Sequence, residues 1–364
     1  MKDNKQSEML PDIRVAVDAM GGDNAPGITV KGACQASLES PLHIILVGDE
    51  GRIAFELKKH KHNVSQIEIV HTPEQITMHD NPKQALYEKP DASVAVAARL
   101  VGEHKADALV SAGNTGAVIL SSAKHIKRIV GVRKTALAAI YPTQNVQKRG
   151  DLFSIILDVG ANLHNSHHDL VHFAYMGATY ASKIKNIESP TVGLLNVGRE
   201  EYKGGETLSK THQLLSTLPN INFIGNVEGN ELMLGLADVL VTEGLTGNIA
   251  IKTAEGVASA AKNLGKMASK QNPIYAIGFM FLYGGYRRLK SIVDYEQYGG
   301  APVFGFERMV IKCHGRSSHR SIKNAIKLAA KSVRDDMTGI ISSSIAGYEK
   351  DYAMSDMDIK SDFY

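Results

Sequence analysis

Ile13–Pro26 reads I-R-V-A-V-D-A-M-G-G-D-N-A-P, and the fold turns on this stretch. Ile13, Val15 and Val17 alternate as β-branched residues, which predicts a strand. Gly21-Gly22-Asp23-Asn24 then breaks the alternation, and Pro26 suits the first position of a helix. A strand that empties into a glycine turn and a helix start presents backbone N–H groups at the carboxyl edge of a sheet. Such a junction suits an anion, because first-turn donors lack partners and the helix dipole favours negative charge. The spacing fits neither G-x-G-x-x-G nor G-x-x-x-x-G-K-[ST], so neither nucleotide fingerprint applies. Taken alone, the stretch reads equally as a tight turn or as a phosphate cradle.

The same form recurs along the chain. Leu42–Val47 is an apolar strand ending in Gly48-Asp49, Gly51–His60 has helical character, and Ile67–Val70 is a further strand, an alternation that predicts parallel pairing through crossovers. Ala108–Val110 runs into Ser111-Ala112-Gly113-Asn114-Thr115-Gly116 and an apolar helix, with Asn114 or Thr115 also fitted to cap it. Leu152–Leu157 ends in Asp158-Val159-Gly160-Ala161-Asn162. Thr191–Asn196 precedes Gly198 and the charged loop Arg199–Gly205, whose glycines would let the Lys203 ammonium reach a ligand, although a solvated charged loop is the plainer reading. Val239–Thr242 leads into Glu243-Gly244-Leu245-Thr246-Gly247-Asn248 and another helix. In open α/β sheets the ligand sits outside the carboxyl ends of the strands, so these junctions are expected to share one cleft. Their accumulation favours a phosphate-handling site over a set of plain turns.

Composition narrows the class. The chain has 364 residues, 43% hydrophobic and 22% charged, values typical of a globular protein with a substantial core. Lys and Arg number 41 against 38 Asp and Glu, a net charge of only +3, and Trp is absent, so an extended nucleic-acid surface is not expected. Two distant cysteines, Cys34 and Cys313, read as reduced thiols in a cytoplasmic protein. Residues 1–12 are polar and lack the apolar core of a signal peptide, and no run reaches the ~18 apolar residues of a spanning helix. The expected organisation is a flexible segment over 1–12, one α/β/α domain over 13–346 with a largely parallel sheet, and a flexible Asp-rich tail over 347–364.

Two further features bear on function. His168 and His172 stand one helical turn apart and could face a metal, although a capped helix start with surface histidines is the plainer reading. Ala254–Lys270 is amphipathic, with Lys262, Lys266 and Lys270 opposite an apolar stripe. Ile274–Tyr286 is apolar nearly all round and is followed by Arg287, Arg288 and Lys290. A helical hairpin of about 254–292 with an apolar wall reads as a subunit interface, a membrane-surface contact or internal core.

The blocks V-D-A-M-G-G-D-N-A-P (Val17–Pro26), S-A-G-N-T-G-A (Ser111–Ala117), L-D-V-G-A-N (Leu157–Asn162), G-L-L-N-V-G-R-E-E-Y-K-G (Gly193–Gly204), I-N-F-I-G-N-V-E-G (Ile221–Gly229), Y-G-G-A-P-V-F-G (Tyr298–Gly305) and V-I-K-C-H-G (Val310–Gly315) stand in one order from about 13 to 335. Together they resemble the bacterial phosphate acyltransferases of phospholipid synthesis. The chain departs from that pattern at Arg199, where an acidic residue is usual, at Glu243, where Asp is usual, and at Cys313, where Ser is frequent. The resemblance implies a Rossmann-like α/β/α subunit, a homodimer built partly through the hairpin, and no metal or nucleotide cofactor. It implies transfer of a long-chain acyl group from acyl-acyl-carrier-protein to inorganic phosphate. The acyl phosphate would then pass to a membrane glycerol-3-phosphate acyltransferase, which would give the hairpin a reason to approach a bilayer.

Inorganic phosphate is already an oxygen nucleophile at neutral pH, so the chemistry asks for positioning and oxyanion stabilisation. A pantetheine thiol, with a pKa of about 8.5 by analogy with Cys, leaves as thiolate with little acid help. Gly21, Gly22, Asp23 and Asn24 with Ser111, Gly113, Asn114, Thr115 and Gly116 are the expected phosphate-binding residues. Lys203 is the expected charge-neutralising group, with Asn196, Asn248 and His314 as oxyanion donors. Asp18, Asp158 and Asn162 are also expected at the phosphate/substrate site, where Asp18, Asp23 and Asp158 would orient loops rather than act as bases, since free carboxylates would repel phosphate. The rival readings are a metal- and NAD-dependent β-decarboxylating dehydrogenase of similar fold, whose Asp ligand cluster and nicotinamide site the sequence does not display, and a non-catalytic phosphate-ligand or membrane scaffold.

Overall fold

Successive side chains of a strand face opposite sides, so a strand buried at every position needs cover on both faces. That condition shapes the computed structural model, which describes residues 13–144, 146, 152–271, scattered positions between 274 and 284, and 299–361. The chain divides into two units, Met1–Lys127 with Arg308–Thr338, and Arg128–Glu307 with Gly339–Tyr364. The first contains β1 (Arg14–Asp18), α1 (Gly27–Glu39), β2 (His43–Gly48), α2 (Glu50–Leu57), β3 (Ile67–His71), α3 (Pro82–Glu88), α4 (Ser93–Gly102), β4 (Ala108–Ser111) and α5 (Thr115–His125). The second contains β5 (Ala136–Pro142), β6 (Phe153–Leu157), α6 (His167–Lys185), β7 (Thr191–Asn196), α7 (Gly205–Thr217), β8 (Asn222–Glu228), β9 (Val239–Val241), α8 (Gly244–Gln271) and β10 (Ala301–Phe304). The chain returns to the first unit for β11 (Met309–Lys312) and α9 (His319–Arg334), and most of α10 (Met337–Ser361) belongs to the second.

In the first unit the strand order is β3-β2-β1-β4-β11, all parallel. β4 and β11 are buried throughout, and β1 from its second residue on. Their cover comes from α1 packed on α9 and from α4 packed on α5, each pair lying against the strands. In the second unit the order is β10-β5-β6-β9-β7-β8. There β5 runs antiparallel to both neighbours, while β6, β9, β7 and β8 are parallel. Parallel pairing sets the carboxyl ends of β1, β4 and β11 along one edge of the first unit, and those of β6, β9 and β7 along one edge of the second.

The α/β class and largely parallel sheet follow the sequence expectation, with four differences. The stretch 13–346 is two units rather than one domain, because the chain leaves one core at residue 127 and re-enters it at 308. Tyr298–Pro302 reads from its glycines as a loop, but Ala301 and Pro302 open the strand Ala301–Phe304, since Val303 and Phe304 pair with Leu137 and Ala136. The stretch expected as a tail from 347 is helical through Ser361, because Met337, Ile341, Ile345 and Tyr348 recur at helical spacing and are all buried. Finally, α8 begins at Gly244, inside the junction expected to precede a helix, and runs through the amphipathic stretch to Gln271, with Leu245, Ile249, Val257, Leu264 and Met267 exposed along it. The return arm of the hairpin lies largely outside the described residues, as do residues 1–12 and 362–364. Among the described residues no helix is long and apolar enough to cross a membrane.

One ion pair anchors the second unit at the amino ends of its strands. Lys185 Nζ lies 3.1 Å from Asp238 Oδ1, with both side chains buried, and also donates to Phe153 O at 2.6 Å. Asp238 Oδ2 accepts the Thr191 N–H at 2.9 Å and the Thr191 hydroxyl at 2.8 Å. Burial pushes the Asp238 carboxyl up, but the Thr191 donors and the Lys185 ammonium outweigh it and hold the carboxyl below its usual range. Removing one partner of such a pair strands the other, at about 3–5 kcal/mol. Urea unfolding of Lys185→Met is therefore expected to show a loss of about 3 kcal/mol. Because the folded value is depressed, the wild-type contribution is present above the unfolded value of about 3.9 and is lost as pH falls through the lower folded value. The variant is expected to lack that acid-dependent component.

Candidate active site

Asp18 closes β1, and its buried carboxylate gathers the loops around it. Oδ1 accepts the hydroxyl of Ser93 at 2.6 Å and the N–H of Met20 at 3.3 Å, and Oδ2 accepts the hydroxyl of Ser111 at 2.6 Å. Burial raises this carboxyl, and the donors oppose the rise. Gly21 follows in backbone contact with the β4 junction: a Cβ there would stand 2.7 Å from Gly113 N and 2.9 Å from Gly113 Cα. Gly22 takes φ +108°, a conformation that favours glycine, and a Cβ on it would meet Gly315 O at 3.2 Å. Asp23 N–H donates to the same Gly315 O at 2.9 Å. The loops after β1, β4 and β11 are thus packed backbone against backbone.

Not every expected anion donor is free. The N–H groups of Gly21, Asp23 and Gly113 already donate to Asp18, Gly315 O and Ser111 Oγ. Those of Thr115 and Gly116 open α5 and have no acceptor one turn back. Asn114 caps this helix, accepting the Ala117 N–H at 3.2 Å, while its Nδ2 donates to Asp80 O at 3.1 Å and Met78 O at 3.4 Å. Asn24 and His314 are exposed, and His314 Nδ1 accepts the Arg316 N–H at 3.2 Å. Cys313 is fully buried, and burial pushes its thiol up to about 12, which removes it as a nucleophile.

The second unit repeats the device at the end of β6. Asp158 Oδ1 accepts the N–H groups of Leu137 at 3.0 Å, Gly160 at 3.1 Å and Ala161 at 2.9 Å. Its Oδ2 accepts the Asn162 N–H at 2.9 Å and Asn162 Nδ2 at 2.8 Å. Burial again raises the carboxyl against these donors. Asn162 Nδ2 also donates to Thr135 O at 2.7 Å. The first turn of α8 lies on this loop: a Cβ at Gly244 would stand 3.0 Å from Asn162 N, and one at Gly247 would stand 3.1 Å from the Asp158 carbonyl carbon.

Asn196 and Asn248 were expected to donate to an oxyanion, and here each fixes a loop. Asn248 Nδ2 donates to Val159 O at 3.0 Å. Asn196 accepts the Val197 N–H at 2.8 Å and donates to Lys203 O at 3.1 Å, closing the loop between them on itself. Short amides commonly satisfy nearby backbone in this way. Lys203 is half-buried, with no carboxylate partner among the described residues and its ammonium 5.6 Å from the Tyr202 ring centroid. Arg199 instead pairs with Glu231. The first unit therefore assembles Asp18, Gly21, Gly22, Asp23, Ser111, Gly113 and Gly315, and the second assembles Asp158, Asn162 and Asn248, with Asn196 and Lys203 on the loop after β7.

Sequence reasoning missed Ser93, whose hydroxyl reaches Asp18 from 75 positions away, and Asn165, whose Oδ1 accepts the Gly244 N–H at 3.3 Å. Neither belongs to a motif that would have marked it. Ser166 and Asp169 form a capping box at α6, as a capped start requires. His172, expected at the surface, is buried and bonded to Glu349 at 2.7 Å, and His168 Nδ1 lies 3.3 Å from the Tyr348 hydroxyl. Among the described residues no group of three His, Cys, Asp or Glu side chains is arranged to hold a metal.

A family model described as "Fatty acid synthesis protein" matches residues 13–339. The phosphate acyltransferase of Dictyoglomus turgidum is 44% identical over 322 residues, covering 88% of this chain and 94% of the relative. That of Alkaliphilus oremlandii is 40% identical over 339 residues, covering 93% and 99%. The chain belongs to the phosphate acyltransferase family.

Solved structures agree on the fold. A phosphotransacetylase from Streptococcus pyogenes superposes with TM-score 0.59 at 17% identity, covering 88% of this chain and 94% of its own. The EutD phosphotransacetylase from Staphylococcus aureus gives 0.54 at 15%, covering 88% and 93%. In this phosphate acyltransferase family member, the D-A-M-G-G-D and S-A-G-N-T-G blocks are the two turns that touch at Gly21 and Gly113. Gly21→Ala is expected to cost about 1–3 kcal/mol, since backbone atoms cannot yield to the new methyl. Gly229→Ala, where a Cβ meets nothing within 4 Å, is the control expected to keep the wild-type melting temperature in the same thermal scan.

Proposed function

We propose that this protein transfers a long-chain fatty acyl group from acyl-acyl-carrier-protein to inorganic phosphate, releasing the carrier thiol and forming acyl phosphate for phosphatidic acid synthesis. The observation that carries this reading is the 44% identity to a phosphate acyltransferase across 94% of that relative's length. A phosphate oxygen attacks the thioester carbonyl, a C–O bond forms, and the carbonyl oxygen takes the charge of the tetrahedral intermediate. The C–S bond then breaks, and the electron pair leaves on the thiolate. No side-chain nucleophile is needed.

In the first unit, the N–H groups of Thr115 and Gly116 at the start of α5 are the proposed phosphate donors, with the Gly21–Asn24 turn setting the shape of the cradle. In the second, Lys203 is the proposed cation for developing charge, supported by the absence of a competing carboxylate among the described residues. Asp18 and Asp158 act through the loops they hold, and His314 is a proposed donor at the β11 junction. Homodimer formation and delivery of product to a membrane acyltransferase belong to the same reading, and the exposed apolar side chains of α8 are compatible with either contact.

The test is phosphate-dependent thiol release from palmitoyl-acyl-carrier-protein. Release that requires phosphate and yields acyl phosphate supports the proposal, and release without phosphate contradicts it. Lys203→Ala is expected to lower kcat/KM by about a hundredfold. A loss below threefold would remove Lys203 from the mechanism.

A further inference from the structure

Helix α9 carries an unusual distribution of charge. Between Arg316 and Arg334 stand Arg316, Arg320, Lys323, Lys327, Lys331 and Arg334, with no Asp or Glu. Against a whole-chain charge of +3, those six cations mean that the rest of the chain is net acidic. At 100° per residue, the five cations from Arg320 to Arg334 fall within roughly 80° of one another, a single stripe. At ~1.5 Å rise per residue the stripe is about 21 Å long. Ile322, Ala325, Ile326, Ala329 and Ala330 occupy the opposite face and are buried in the first unit.

Neutralisation along the stripe is partial. Glu39 is shared by Lys323 at 2.9 Å and Lys327 at 3.0 Å, and Asp335 pairs with Lys331 at 2.7 Å. Arg316 and Arg320 at one end and Arg334 at the other are exposed, and Arg316 approaches Asp23 no closer than 3.8 Å. The Arg316 end also adjoins the turn of the candidate site, because Gly315 O accepts the Asp23 N–H at 2.9 Å.

From this we infer that the exposed face of α9 is the docking surface for an acidic protein, the carrier that bears the acyl thioester. The inference rests on the reading given under Proposed function. Charge complementarity supplies the occupant: a row of cations with its apolar face already buried suits an acidic partner surface and faster encounter. An interfacial membrane helix would instead direct its apolar face outward. A carrier seated on α9 lies beside the loop that touches the glycine turn.

The experiment compares wild type with Arg320→Glu/Lys331→Glu/Arg334→Glu, on palmitoyl-acyl-carrier-protein and on palmitoyl-pantetheine, which has no acidic protein attached. The expected result is a KM for the carrier thioester raised at least tenfold with kcat kept, unchanged kinetics on palmitoyl-pantetheine, and an unchanged melting temperature. Wild-type KM should rise with salt from 50 to 300 mM, and the variant should lose most of that dependence. Unchanged carrier KM, or equal losses on both thioesters, would overturn the inference. Binding of the carrier protein alone, read by fluorescence anisotropy, separates this surface from the activity. If wild type turns over neither thioester yet binds the carrier and the variant does not, the proposed reaction fails and the surface stands. If the variant keeps carrier binding and loses only flotation with phosphatidylglycerol vesicles, the face serves lipid and the inference is wrong.

Discussion

A carboxylate buried at the end of a parallel strand, its oxygens met by donors from its own loop and from elements distant in sequence, is the interaction on which the rest of the structure depends. Asp18 does this with Ser93, Ser111 and Met20, and Asp158 does it with Leu137, Gly160, Ala161 and Asn162. Burying a carboxylate is expensive unless its lone pairs are met, and hydrogen bonds to a charged group contribute about 1.5–3 kcal/mol each. Five donors on Asp158 therefore set the path of a whole loop. A carboxylate so surrounded is poorly placed to take a proton from a substrate. Phosphate chemistry has no need for it to do so, because phosphate brings its own nucleophilic oxygen.

Glycine makes the second half of that arrangement. Around Asp18, Gly21 meets Gly113 and Gly22 meets Gly315, so three loops approach at backbone distance. Around Asp158, Gly244 and Gly247 admit the first turn of α8 against the loop. The carboxylate attracts the N–H groups, and the missing Cβ atoms let the chains come close enough to respond. Loops without regular structure are held in this way by hydrogen bonds and close backbone contacts, and fixed geometry is what positioning and oxyanion stabilisation require.

Much of this was legible in the chain. Ile13–Val17 announced a strand and Gly21–Asn24 a turn, because alternation and glycine are local signals. Strand direction is not local: nothing in Thr135–Tyr141 told that β5 runs antiparallel to both neighbours, and A-P-V-F was too short and too close to Gly299-Gly300 to read as β10. The helical tail was readable from the spacing of Met337, Ile341, Ile345 and Tyr348, but its Asp-rich end masked the stripe. At the candidate site, residue types marked the loops at the strand ends and said little about partners. Asn196 and Asn248 read as donors to a ligand, but that Asn196 donates to Lys203 O and Asn248 to Val159 O could be seen only in three dimensions, because a side-chain amide serves backbone carbonyls equally well.

On the reading proposed above, Asp158 acts by holding its loop. Hydrogen exchange in Asp158→Asn measures this most directly, because the amide replaces an acceptor oxygen with a donor facing the donors of its neighbours. The amides of Gly160, Ala161 and Asn162 are expected to lose protection by about one to two orders of magnitude, together with any loss of activity. Unchanged protection at those three amides in an inactive variant would contradict it, and would make the carboxylate a participant in the chemistry.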